Sequence, residues 1–194
     1  MIAFVRGPYA MKTPSHVVVD VNGVGYDLQI SLNTYSAISD KESGQLHTYL
    51  HITENGQTLF GFAEAKEKEM FLLLIGVSGV GASTARMMLS GMKPEEITKA
   101  IIQSNTVQLA SIKGIGKKTA ERLIVELKDK LGKQSLGSSL LSTPFIRSVG
   151  ADAIEALIAL GIGKNIAENS VNKIILTNPD GALEDIIKQA LKIL

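Results

Sequence analysis

The chain has 194 residues, with 20 Lys and Arg against 19 Asp and Glu, five Phe, four Tyr, no Cys and no Trp. That length allows one core or several small ones, and the lack of cysteine excludes disulfide scaffolds, thiolate zinc sites and cysteine nucleophiles, making a reducing cytoplasm the default. So few aromatics also argue against a large aromatic-lined cofactor pocket.

Residues 1–63 read as strands. Short β-branched runs at Ile2 to Arg6, His16 to Val21, Val24 to Ser31, Leu46 to Ile52 and Thr58 to Phe62 are separated by turn residues. Asn22-Gly23 and Asn55-Gly56 favour the positive φ of a two-residue hairpin turn, so the second and third strands, and the fourth and fifth, are expected to pair antiparallel. Five short strands in such a length suggest a small closed barrel of the OB type. An SH3-like barrel is the alternative, which the pattern alone does not separate.

From residue 64 the period becomes helical. Glu64, Lys66, Glu67, Lys68 and Glu69 alternate sign as an exposed face would, while Met70, Leu73, Leu74 and Val77 recur at core spacing. Helices are expected to about Lys133, with Lys93-Pro94-Glu95-Glu96 opening one of them. Residues 135–148 are rich in serine and read as a flexible linker. Residues 149–194 hold three amphipathic runs, Ala151 to Leu160, Asn165 to Leu176 and Gly181 to Leu194, with Asn178-Pro179-Asp180 breaking and then capping the last.

Charge is unevenly divided along this plan. Residues 64–134 carry 12 basic and 8 acidic side chains, against 3 and 5 in residues 1–63 and 5 and 6 in residues 135–194. The excess lies mostly in Lys113, Lys117, Lys118, Arg122, Lys128, Lys130 and Lys133, which makes a polyanion a candidate partner. A membrane is not one. The longest uncharged apolar stretch, Met70 to Ala85, has 16 residues broken by glycines, short of a span. Arg6 interrupts the apolar run that a signal peptide would need.

The strongest signal is an internal repeat. Val77-Ser78-Gly79-Val80-Gly81-Ala82-Ser83-Thr84-Ala85 matches Ile112-Lys113-Gly114-Ile115-Gly116-Lys117-Lys118-Thr119-Ala120 at an offset of 35 residues. Each copy predicts a helix-hairpin-helix. Two glycines permit a tight turn with positive φ and let another backbone come close, and Val80 or Ile115 plugs the gap between the flanking helices. The turn ends at a helix N-terminus, whose unpaired N–H groups and partial positive charge suit a phosphate. Gly79, Val80, Gly81, Ser83 and Thr84 are thus candidate phosphate contacts, as are Gly114, Ile115, Gly116, Lys117, Lys118 and Arg122. For one Gly-x-Gly, helix packing is the commoner explanation; two copies in register, one strongly basic, reverse that weighing.

Other chemistries fit poorly. A nucleotide loop needs Gly, four residues, then Gly-Lys-Ser/Thr, but Ser111 stands where the first Gly should be and Lys118 follows Lys117. No third in-frame glycine makes a dinucleotide fingerprint. His16, His47 and His51 lack metal-ligand spacing, and His47 and His51 read as surface strand residues. Met70, Met87, Met88 and Met92 fit helix-core positions. No metal, cofactor or catalytic residue is expected. Ala159-Leu160-Gly161-Ile162-Gly163-Lys164 could form a third hairpin, but its neutral surroundings favour a protein-binding loop.

This order of barrel, paired hairpins, serine-rich linker and small helical domain resembles the RuvA family, bacterial subunits that bind Holliday junctions. The resemblance covers the whole chain. It is carried by Met1-Ile2 with Arg6-Gly7, Gly23-Val24-Gly25-Tyr26, Leu59-Phe60-Gly61-Phe62, Leu89-Ser90-Gly91-Met92 and, above all, the run from Gly114 to Asp129. It implies a multi-domain α+β protein: an OB-type barrel at 1–63, tandem helix-hairpin-helix motifs at 64–134, the linker, and a three-helix, UBA-like domain at 149–194. It also implies a flat homotetramer, or two stacked tetramers, cradling a four-way junction by its phosphates for a RuvB-type hexameric ATPase, and it leaves room for a RuvC-type resolvase. Leu157, Leu160, Ile162 and Ile187 are the candidate motor contacts, with helix-core packing as the alternative for Leu157. The family's acidic pin would fall on Glu54 and Asn55, one acid where two are usual, and the first hairpin lacks the lysine often found after Gly-hydrophobic-Gly. The rival reading is a general duplex-binding scaffold that recruits other repair proteins.

Overall fold

The computed structural model describes residues 1–54, 56–138, 149–178 and 181–193. Asn55, residues 139–148 of the expected linker, and Pro179-Asp180 lie outside the described residues. The chain divides into two compact units, Met1–Ser138 and Ser139–Leu194.

In the first unit, β1 (Phe4–Lys12), β2 (His16–Val21), β3 (Val24–Ile30), α1 (Leu32–Ile38), β4 (Ser43–Thr53) and β5 (Gly56–Phe62) close a barrel in the order β1-β2-β3-β5-β4. β2 with β3 and β4 with β5 pair antiparallel as expected, β3 meets β5 in parallel, and β1 with β4 seals the ring. This order, with a helix between the third and fourth strands, is that of the OB type. Period-two burial of Val17, Val19, Leu28, Ile30 and Leu46 fills the interior. Val21 faces Val24 across a turn in which Asn22 (φ 54) and Gly23 (φ 87) both adopt left-handed backbone. The other hairpin departs from the Asn-Gly expectation: Thr53 pairs with Gly56, so Gly56 belongs to the ladder and not to the turn.

The first unit continues through α2 (Ala65–Ile75), α3 (Ala82–Gly91), α4 (Pro94–Ile102), α5 (Thr106–Ala110) and α6 (Lys117–Ser138). As the sequence suggested, α4 opens at Lys93, whose N–H donates to Glu96 Oε2 at 2.7 Å. One apolar core joins barrel to helices: Phe60 and Phe62 of β5 are buried with Val77, Val80, Ile112, Ile115 and Leu123. Phe71 of α2 is its hub, with ring centroids 5.0 Å from Phe60 and Phe62 and 5.7 Å from Tyr49. α1, which no helical period in the sequence announces, is capped by Ser31 and docks on α3 through Asn33, whose side-chain amide donates to Leu89 O at 2.6 Å and Met92 O at 3.1 Å.

Three expectations are corrected here. Glu67 does not belong to an exposed face: it is buried beneath α1, where the Ser31 and Thr34 hydroxyls donate to its carboxylate. Burial pushes its pKa up, against the hydrogen bonds that pull it down. Met87 is 40% exposed, whereas Met70, Met88 and Met92 are core residues. His47 and His51 are half-buried, not surface, because they share with Tyr49 the face of β4 turned toward the helices.

α6 runs to Ser138, into the segment read as linker from 135. The second unit contains α7 (Val149–Ala159), α8 (Lys164–Thr177) and α9 (Leu183–Lys192) around Ala153, Leu157, Ala167, Val171, Ile174, Ile186 and Ala190. α9 starts at Ala182 without a side-chain cap; the cap expected from Asp180 lies outside the described residues.

Candidate nucleic-acid interface

Both hairpins form, and with matching geometry. After α2, Val77 and Val80 turn inward with 2% and 4% of their surface exposed, and the Val80 N–H donates to Val77 O at 3.0 Å. After α5, Ile112 and Ile115 do the same, with the Ile115 N–H donating to Ile112 O at 3.0 Å. The apolar pair anchors each turn in the core, so the polar backbone that follows must face outward.

The two glycines of each hairpin have separate jobs. Gly79 and Gly114 carry the left-handed backbone, at φ +91 and +92, and set the turn. Gly81 and Gly116 are not among the positive-φ residues; Gly81 sits at φ −81 and opens α3 as its N-cap. A Cβ added at Gly81 or Gly116 would meet nothing within 4 Å. Their lack of a side chain is therefore not demanded by the chain's own packing. It keeps clear the approach to the first amides of α3 and α6, which no capping side chain occupies at α3. Four N–H groups at each start lack an intrahelical acceptor, and with the helix dipole they form an arrangement suited to an anion.

Charge differs between the copies. Lys113, Lys117 and Lys118 are exposed around the second turn and make no side-chain hydrogen bond or ion pair among the described residues. The first turn has Ser78, Ala82 and Ser83 in their place, none of them charged. The hairpins adjoin one another: Thr84 Cγ2 lies 4.0 Å from where a Gly114 Cβ would be, and Arg122 NH1 donates to Ser78 O at 3.1 Å. Arg122 thus staples the second hairpin to the first while its remaining N–H groups stay outside. Lys128, counted with the basic patch, donates instead to Ser104 Oγ at 2.8 Å and braces the α4–α5 turn, where Ser104 holds φ +55. Glu54 is exposed at the tip of the β4–β5 hairpin, next to Asn55, which lies outside the described residues.

The second unit repeats the hairpin a third time. Gly161 has φ +92, Gly163 is the N-cap of α8, and the Ala167 N–H donates to Gly163 O at 3.0 Å, as Ala85 does to Gly81 and Ala120 to Gly116. Here the residue before the first glycine is Leu160, 64% exposed, where the other copies have Ser78 and Lys113. Lys164 is tied to Glu168 at 3.7 Å. Ile162 and Ile187 are half-buried against the core, whereas Leu157 is wholly buried and can serve a partner only as support. Among the described residues no cluster of His, Asp or Glu could hold a metal, and no helix is long and apolar enough to cross a membrane.

A closed OB-type barrel sharing its core with two helix-hairpin-helix turns, one of them ringed by lysines, defines a nucleic-acid-binding protein of the helix-hairpin-helix class. The family descriptions agree segment by segment: the RuvA N-terminal domain matches residues 1–61, a SAM-like helix-hairpin-helix tandem 71–129, and the RuvA C-terminal domain 148–194. Relatives described as the Holliday junction branch migration complex subunit RuvA are similar over the whole length. That of Cytophaga hutchinsonii is 47% identical over 197 residues, covering 99% of both chains. That of Christiangramia forsetii is 45% identical over 192 residues with the same coverage, and that of Geobacter sulfurreducens 42% over 203 residues, covering 100% of this chain and 99% of its own. The chain belongs to the RuvA family.

Proposed function

We propose that the chain binds four-way DNA junctions without reading sequence, as a homotetramer or two stacked tetramers, and holds them open and square-planar for branch migration in the bacterial cytoplasm. The observation that carries this is the pair of adjoining hairpins, each with helix amides open to the outside and the second flanked by Lys117 and Lys118. Amides and lysines contact phosphates, which every sequence presents alike, so geometry and not base identity selects the target. Fourfold repetition of the pair would offer one set of grips to each arm of a junction.

The chain's part is binding and not catalysis: ATP hydrolysis belongs to a RuvB-type hexameric ATPase. That motor docks on the second unit at Leu160, Ile162 and Ile187, with Leu157 beneath them. A RuvC-type resolvase shares the junction. Glu54, with Asn55, stands as the acidic pin that keeps continuous duplex off the centre. The test is a gel-shift comparison of a four-way junction with duplexes of equal length. A junction bound at least about a hundredfold more tightly supports the reading, and equal affinities would favour a general duplex scaffold.

A further inference from the structure

Where the barrel meets the first hairpin, an open groove of about 440 Å³ runs between β3, β4, β5 and the start of α3. Its polar lining is Gln29, His51, Thr53, Thr58, Ser83 and Arg86. No carboxylate lines it. Two larger grooves of this unit each contain glutamate: Glu96 in one, Glu64, Glu67 and Glu95 in the other.

The positive charge in this groove is fixed and uncompensated. Arg86 NH1 donates to Gln29 Oε1 at 2.6 Å and to Ser15 O at 2.9 Å, which hold the guanidinium against the barrel. It makes no ion pair among the described residues, so its other N–H donors remain for a ligand. The 35-residue repeat gives this arginine a meaning. Its counterpart in the second hairpin is Glu121, while the lysines at 117 and 118 have Ala82 and Ser83 as counterparts. The first copy has moved its cation from the turn to one helical turn further on, where it faces the barrel. His51 stands across the groove with its ring 6.2 Å from Phe60 and 6.1 Å from Tyr49, and it pairs with Thr58 in the β4–β5 ladder. Beyond Thr53 that ladder ends at Glu54.

We propose that this groove is a second phosphodiester subsite, which holds the backbone of the DNA strand as it passes from the amides of the first hairpin toward the Glu54 tip, with Arg86 and His51 as its donors. This deepens the reading given under Proposed function and rests on it. The subsite replaces the charge that the first turn lacks.

The test places charge at Thr58, half-buried on the barrel face of the groove and not used in the packing of the hairpins. In the full chain, Thr58→Glu should weaken four-way-junction binding by about tenfold or more, and Thr58→Lys should tighten it, steepening the log-log salt dependence by about 0.9 for each phosphate newly engaged per subunit. Lys118→Ala, on the second hairpin and not among the residues that line the groove, is measured beside them. If both Thr58 variants bind like the parent while Lys118→Ala weakens binding, the groove lies off the DNA path and the proposal is wrong, though the hairpin reading stands. Equal weakening by Thr58→Glu and Thr58→Lys would point to a damaged barrel and also overturn it. If Lys118→Ala has no effect either, it is the hairpin reading that fails.

Discussion

Replacing Gly114 and Gly116 one at a time by alanine separates folding from binding within three residues. At Gly114 the backbone has φ +92, and the added Cβ would touch only Thr84 Cγ2 at 4.0 Å, an ordinary contact. The cost is thus purely conformational, about 1–2 kcal/mol for an L-residue held in left-handed backbone. Spread over the 138 residues of the first unit, whose unfolding entropy is roughly 0.3 kcal/mol/K near its midpoint, that is a loss of about 3–7 °C in Tm. At Gly116 the φ is not positive and a Cβ meets nothing within 4 Å. The gain from a stiffer unfolded chain, about 0.4–1 kcal/mol, offsets alanine's poorer behaviour as an N-cap, so Tm should stay within about 2 °C. The new methyl would instead stand where a phosphate approaches the α6 amides. Losing one charge-assisted hydrogen bond there, about 1.5–3 kcal/mol, weakens junction binding by roughly 10- to 150-fold. Thermal unfolding and junction titration of the same two preparations decide it: a Gly116→Ala protein that binds like the parent, or a Gly114→Ala protein that melts like it, refutes the division of labour.

Three other outcomes are expected. Because the Glu67 carboxyl has a raised pKa, the folded state holds its proton more tightly than the unfolded state; its contribution to stability is greatest in acid and is lost as pH rises above the ordinary carboxylate range, and urea midpoints of Glu67→Gln should lack that component of the decline. Glu54→Gln should raise duplex affinity more than junction affinity and Asn55→Asp should do the reverse, since charges about 6 Å apart repel by roughly 0.7–3 kcal/mol at effective dielectrics of about 80 to 20; both effects should shrink in salt, and an unchanged junction-to-duplex ratio at low salt would reduce Glu54 to an ordinary surface charge. A chain ending at Ser138 should bind junctions as the full chain does yet fail to stimulate ATP-driven branch migration, and normal stimulation would sink the assignment of motor docking to the second unit.

What the sequence revealed depended on how local the cause was. The hairpins were legible because their geometry is written within ten residues and twice over: apolar residues at Val77 and Val80, and again at Ile112 and Ile115, leave little choice about which way the turn faces. The barrel pairing followed from Asn22-Gly23 in the same way. The place of Glu67 is hidden from the sequence because its burial is set by Ser31 and Thr34, 36 and 33 positions away, and a charged run on a helix carries no sign of hydroxyls waiting elsewhere. α1 is not legible because seven residues are too few to show a helical period; its only local marks are Ser31 as a cap and the spacing of Thr34 and Ile38. Arg122 reads in the sequence only as a phosphate contact and Arg86 carries no local signal; their partners, Ser78 and Gln29, show that each fastens one module to another.

Phe60 and Phe62 close the barrel and at the same time belong to the core of the hairpins, with Phe71 wedged against both. A cut between residues 61 and 71, where the barrel and hairpin family descriptions leave a gap, would therefore pass through the middle of a folding unit. Barrel and hairpins should melt in a single transition, and a chimaera that grafts these hairpins onto another barrel must carry the aromatic trio with it. In inheritance, too, the two are one module: a substitution at Phe71 is felt by barrel and hairpins alike, so neither can drift without the other.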